Sequence, residues 1–309
     1  MLTEELNSRF PSAGGVRFAA GSGGFVHAVV STPFAEAHVY LHGAHVTHYQ
    51  PAGATPVLFM SPHSQFAPGK AIRGGVPVIF PWFGPRAGHP AAPEHGFARI
   101  AEWSVESVER SLDAVTLVLQ LDSTDATRAL WPYDFRLRYR VVIGPRLELE
   151  LEVENRSDEA FAFEEALHTY LRVGDVREAT VSGLAGTAYI DKNDAMKRKL
   201  QADEALRLSG ATDRVFLAAR GPCVIDDPPL DRRLVIEKRA SATTVVWNPW
   251  REKAAAMADL GGDAWPSMLC VETANAADDA VPLAPGERHR MTAVIAAESR
   301  RIAPTASKT

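Results

Sequence analysis

The sequence predicts an all-β protein, a large antiparallel β-sandwich with a few short helices. Three observations carry that prediction. Apolar and polar residues alternate with a period of two through much of the chain, turn residues interrupt the alternation at short intervals, and helical patterns do not stand regularly between the runs. Taken in order, residues 37–42 alternate as a strand until Gly43 breaks the pattern. Residues 70–84 contain Pro77 and Pro81, which rule out a helix and are unwelcome in a central strand, so an extended, rigid segment or sheet edge is expected. Residues 114–121 form the next run, and residues 123–130 read as a short helix. Residues 134–143 and 146–154 are strands joined by a hairpin turn at Gly144-Pro145. In the second of these, Leu147, Leu149, Leu151 and Val153 alternate strictly with four glutamates, the pattern of a half-buried antiparallel strand. Shorter runs follow at 166–171, 233–238, 243–247 and 291–296, with a second short helix expected at 251–259. Gly23-Gly24, residues 155–158, Pro228-Pro229 and residues 284–286 supply turns. No repeat or linker divides the chain, so one sandwich domain over 1–309 is expected, with its core at about 16–298 and a polar tail at 301–309.

Composition narrows the function. Hydrophobic residues make up 46% and charged residues 23% of 309, ordinary for a globular protein, and a net charge of −5 argues against a nucleic-acid or membrane surface. The sequence has no apolar run near the length of a membrane span, and the start at Met1 lacks the pattern of a signal peptide. Cys223 and Cys270 are too few and too far apart for a disulfide framework. A soluble cytoplasmic protein, a monomer with a small-molecule substrate, is the expectation.

The segment around Arg73, with Glu94-His95 and Arg99 following it, sets two permanent cations and one group titrating near neutrality in a rigid frame. That combination suits an anionic, hydroxyl-rich ligand, although surface ion pairs would use the same arginines. His38, His42, His45 and His48 invite a metal reading, since positions 42 and 45 would share a helix face. The alternation makes the segment a strand, on which the four would not converge on one ion, so exposed strand histidines and no metal are expected. His168 lies in an alternating segment, where a histidine is commonly structural. Glu272 ends an apolar run, and a carboxylate there is costly to desolvate unless paired or working. Asp213 could cap a turn, and Trp247-Asn248-Pro249-Trp250 has the composition of a sugar-stacking wall or of a core.

Several ordered blocks then carry a resemblance. They include Arg73-Gly74-Gly75-Val76-Pro77, His95-Gly96-Phe97-Ala98-Arg99, Leu130-Trp131-Pro132-Tyr133, Leu167-His168-Thr169-Tyr170, Asp191-Lys192, Thr212-Asp213-Arg214, Trp247-Asn248-Pro249-Trp250 and Cys270-Val271-Glu272-Thr273. From about Tyr40 to about Ile295 the chain resembles the glucose-6-phosphate 1-epimerases (hexose-6-phosphate mutarotases) of the aldose 1-epimerase superfamily. After the glutamate it carries Thr273-Ala274, as the bacterial branch does. The resemblance implies a galactose mutarotase-like sandwich with a cleft across one sheet, and an isomerase that interconverts the α and β anomers of hexose 6-phosphates. It implies that Glu272 is the base on the C1 hydroxyl and His168 the acid on the ring oxygen, and that His95 and Asp213 hold the sugar. It further implies that Arg73 and Arg99 face the phosphate, and that Gln65 stands in the cleft wall. Neither a metal nor an organic cofactor is called for by proton transfer alone. Glu272 would have to start ionised and His168 charged, and their closeness would favour both forms. A mutarotase of neutral aldoses such as galactose and a non-catalytic sugar-phosphate binding protein are the alternatives.

Overall fold

The computed structural model describes residues 2–11 and 15–300, so the polar tail expected at 301–309 lies outside the described residues. Antiparallel strands dominate, as the alternation predicts. A four-stranded meander of Val16–Ala20, Val26–Ser31, Ala35–Tyr40 and His45–Pro51 opens the chain. A nine-stranded sheet runs from Leu206–Arg207 through Thr180–Ser182, Cys223–Asp227, Arg232–Arg239, Arg288–Ser299, Leu147–Asn155, Phe135–Ile143 and Val115–Asp122 to Ser104–Arg110. An eight-stranded sheet runs from Lys197–Leu200 through Ala188–Asp191, Thr212–Phe216, Thr243–Asn248 and Met268–Asn275 to Glu165–Leu167 and Val78–Ile79. Its eighth strand, Tyr170–Arg172, also pairs with Met268–Asn275.

The long hairpin forms where the sequence places it. Leu147, Leu149, Leu151 and Val153 are fully buried, and each side chain contributes about 1.5–3 kcal/mol of apolar burial before entropy is counted. The glutamates between them face outward against arginines of the neighbouring strands, as in Arg140–Glu148 and Arg138–Glu152. Val78–Ile79 takes the edge of its sheet, consistent with the prolines that flank it. Thr124 caps the helix Asp125–Leu130 in a reciprocal box with Thr127, and a second helix spans Trp250–Ala256. A third helix, Leu2–Arg9, was not foreseen. It buries only Leu6 and is held by Asn7, whose side chain exchanges two hydrogen bonds with the Phe18 backbone, so no apolar stripe announces it.

Period-two alternation gives the eight-stranded sheet two different faces. Val246 and Val271 join the main core together with Leu137 and Leu149 of the nine-stranded sheet. Val245 and Ala274, at alternate positions, join a smaller cluster with Ile79, Ala166, Ile190 and Val215, against which Phe83 packs. That second face carries the candidate site.

Candidate functional site

Two local features bring His168 to Glu272. Glu165–Leu167 pairs with the C-terminal half of Met268–Asn275, and Tyr170–Arg172 pairs with its N-terminal half. The chain breaks between them at His168 and Thr169, where the Thr169 amide donates back to the Leu167 carbonyl and the His168 amide donates to Pro77. The break stands opposite Glu272, so His168 Nδ1 lies 3.4 Å from Glu272 Oε1. This distance allows an ion pair, but the groups are not aligned as a hydrogen bond, and neither Nδ1 nor Glu272 Oε2 has a hydrogen-bond partner among the described residues. The two side chains are 9% and 1% exposed, a costly arrangement for groups with unused bonding capacity. The His168 ring stacks on Tyr170 at 4.8 Å and meets Trp247 and His95 edge-on.

Around this pair lies a cleft of about 140 Å³ lined by Arg73, His95, Arg99, Lys192, Asp213 and Trp247, among others. Arg73 sits in the Gly74-Gly75 turn, where both glycines have positive φ, and a Cβ on Gly75 would stand 2.3 Å from the Val46 carbonyl oxygen. Its guanidinium donates to Asp259 and to the Tyr170 hydroxyl, each at 2.9 Å, which fixes its direction. Arg99 donates to the Glu94 carbonyl, while its Nε is buried without a hydrogen-bond partner among the described residues. His95 stands at φ +62°, a conformation unusual for a side chain with a Cβ, and its Nδ1 accepts from the Gly84 amide at 3.1 Å. Nδ1 is therefore unprotonated, and a neutral His95 carries its proton on Nε2. Asp213 faces Lys192 at 3.6 Å and Lys253 at 4.0 Å.

The electrostatics correct one expectation. Closeness alone would favour imidazolium and carboxylate, but the surroundings oppose both. Burial, with Arg99 and Arg73 beside the ring, holds His168 well below the usual histidine range. Burial, with the negative charge of Asp213, pushes Glu272 well above the usual carboxylate range. Burial, the leading influence on each, opposes the charged form of both groups, against what their closeness alone would favour. His95 is likewise held down by burial and then by Arg99.

Of the residues singled out in the sequence, Arg73, His95, Arg99, His168, Asp213 and Glu272 all line the cleft. Gln65 does not. It is exposed on its loop, and its neighbour Ser64 makes the connection to the site by accepting from the Arg73 amide. The expectation of exposed strand histidines is also corrected in part. His42 is buried, stacks on Phe25 and bonds the Lys70 carbonyl, and His45 is buried against the Gly74 carbonyl. Only His38 and His48 share a partly exposed face, so the four do not converge. Lys192, Lys253, Tyr170 and Asp259 were not assigned roles from sequence. Asp191-Lys192 and Tyr170 stand within the recognised blocks, but nothing in their spacing aims them at His168.

The chain belongs to the aldose 1-epimerase family, whose model matches residues 28–296. It is 38% identical over 250 residues to an Escherichia coli (strain K12) protein provisionally named glucose-6-phosphate 1-epimerase, covering 81% of this chain and 83% of that one. A Cenchrus ciliaris protein with the same provisional name is 36% identical over 265 residues, covering 82% and 79%. The crystal structure of a protein from Salmonella typhimurium, provisionally described as a mutarotase, superimposes with a TM-score of 0.86 at 32% identity, over 96% of this chain and 100% of that one. Among the described residues no helix is long and apolar enough to cross a membrane.

Proposed function

We propose that the cleft interconverts the α and β anomers of hexose 6-phosphates, glucose 6-phosphate above all, with Glu272 taking the C1 hydroxyl proton and His168 delivering one to the ring oxygen. The ring opens, C1 rotates, and the steps reverse on the other face. The observation that carries this reading is the 3.4 Å contact between two underpartnered, buried groups in a cleft that also holds two arginines and two lysines. The uncatalysed reaction already runs in water, so a positioned acid–base pair suffices for the modest barrier reduction required.

The substrate's own charge resolves the protonation problem. After burial, His168 is affected most by Arg99 and Arg73, whereas Glu272 is affected most by Asp213 and less by Lys192 and Arg99. A phosphate bound by those arginines offsets their field and draws the pair's single proton from Glu272 to His168. The ion pair needed for reaction then forms on binding. A neutral aldose leaves the arginine field in place and gains no such help. His95 Nε2–H and Asp213 supply a donor and an acceptor for sugar hydroxyls. The test is NMR exchange or polarimetry starting from pure α-glucose 6-phosphate, with glucose and galactose in parallel. Faster turnover of a neutral aldose than of the phosphosugar would overturn the phosphate assignment, and absence of turnover on all three would overturn the role of the pair.

A further inference from the structure

Cys270 stands two residues before Glu272 on the same strand, hence on the same face of the sheet, with Tyr170 and Trp247 as its direct cross-strand neighbours. Those neighbours are the rings that surround His168, so the thiol lies buried beside the pair, behind the residues that line the cleft. A nitrogen of His168, the sulfur of Cys270 and a carboxylate oxygen of Glu272 all fall within 4.8 Å of one another, and all three residues are buried. Tetrahedral zinc, with bonds of about 2.0 Å to nitrogen or oxygen and about 2.3 Å to sulfur, sets its ligand atoms roughly 3.3–3.7 Å apart. The His168–Glu272 separation of 3.4 Å already has that value, and Nδ1 and Oε2 retain unused bonding capacity. Closing the remaining distance to the sulfur requires at most about 1.3 Å, within the reach of side-chain rotation.

We propose that His168, Cys270 and Glu272 form an inhibitory binding site for a soft or borderline divalent cation, zinc being the best match. One nitrogen, one thiolate and one carboxylate are a zinc-type donor set, and magnesium or calcium would gain nothing from the sulfur. The thiol binds as thiolate and releases its proton to solvent. Three protein ligands leave a fourth position facing the cleft, for water or a sugar hydroxyl. The metal would engage the lone pairs that proton transfer requires, so binding should exclude turnover. That inhibition rests on the acid–base reading above, whereas the coordination does not.

The experiment uses the full-length chain in an H38Q/H48Q background, which removes the one partly exposed imidazole pair that could compete. Zinc is titrated against a chromophoric chelator, cobalt is followed by absorption, and anomer exchange is measured in parallel. One equivalent of zinc is expected to bind, with a thiolate-to-cobalt charge-transfer band in the near ultraviolet. Cys270→Ser should abolish the band, weaken zinc at least 10-fold, and shift the inhibition curve by the same factor. Cys270→Ala serves if the serine variant folds poorly. Identical zinc titrations for the parent and both variants, or a cobalt complex without the thiolate band, would overturn the site. Zinc bound with the thiolate signature but without inhibition would uphold the site and instead sink the acid–base assignment of His168 and Glu272.

Discussion

His168 faces Glu272 at 3.4 Å, and His289 faces Glu165 at 3.1 Å. The two pairs lie close in the fold. Glu165 precedes His168 by three residues, and Asn275, which neighbours His289, follows Glu272 by three. Both glutamates are buried on paired strands. Their histidines nevertheless shift in opposite directions. Burial pulls His289 down, but the Glu165 carboxylate at 3.1 Å, close without an aligned hydrogen bond, and Asp279 beyond outweigh it and raise the imidazole. His168 has Arg99, Arg73 and Lys192 beside it instead, and they act in the same direction as burial. Residue type and distance are thus nearly shared, and the next layer of charge separates a histidine whose charged form is favoured from one whose charged form is opposed.

Exchanging the consequences of mutation is the strongest way to break this comparison. Glu272→Gln and His168→Asn are each expected to lower kcat on glucose 6-phosphate by about two to four orders of magnitude. They should leave stability unchanged or raised, because each removes a buried group whose bonding is incomplete. Chemical denaturation alongside anomer exchange checks both halves, and wild-type rates in either variant would end the assignment.

The arginines come next in size. A charge-assisted bond to phosphate contributes roughly 1.5–3 kcal/mol, so Arg99→Ala should raise KM for glucose 6-phosphate about 10- to 100-fold and hardly affect glucose. Arg73→Ala should do the same but also cost stability, since Arg73 is tied to Asp259 and Tyr170. Equal losses on both sugars would make the arginines structural and favour a neutral aldose.

At the other pair the effect should appear in folding. His289→Gln leaves Glu165 buried without its cation and should destabilise by up to about 3 kcal/mol, limited by protonation of Glu165, with kcat nearly intact. The folded pKa of His289 is raised, so its contribution is full below its unfolded value of about 6.5 and is lost as pH rises through the folded one. The destabilisation measured by urea titration should therefore shrink above neutrality. A pH-independent difference would show that packing, and not charge, holds that pair.

Much of this was legible in the sequence, and the limits are physical. Strict alternation at residues 147–153 fixes a strand and its buried face, and Gly144-Pro145 fixes the hairpin. Leu2–Arg9 buries a single leucine and gave no signal. The site residues span 73–272, so no local period could assemble them, and ordered family blocks did so instead. Gln65 failed because proximity in sequence to Arg73 does not orient a side chain on a loop. The protonation of the pair was also beyond reach, because it depends on burial and on charges converging from separate elements.

Smallest, and most direct, is a shift of the pH profile between two sugars. In the proposed mechanism the pair works with one proton, so activity should fall at low pH when a second is taken up and at high pH when the single proton is lost. In the free cleft the first limb belongs mainly to the depressed His168 and the second to the raised Glu272, which gives a broad plateau. A bound phosphate adds negative charge beside the arginines and strengthens proton binding by the pair. Both limbs of the kcat profile should then lie at higher pH with glucose 6-phosphate than with glucose. The alkaline limb is the clean reading, because the phosphate's second ionisation near pH 6 is complete there. An interaction of about 1.4 kcal/mol moves it by one unit, and partial screening makes less than that the expectation. Coincident alkaline limbs for the two sugars would mean that the phosphate does not lie within electrostatic reach of His168, and the arginines would then lose their part in setting its charge.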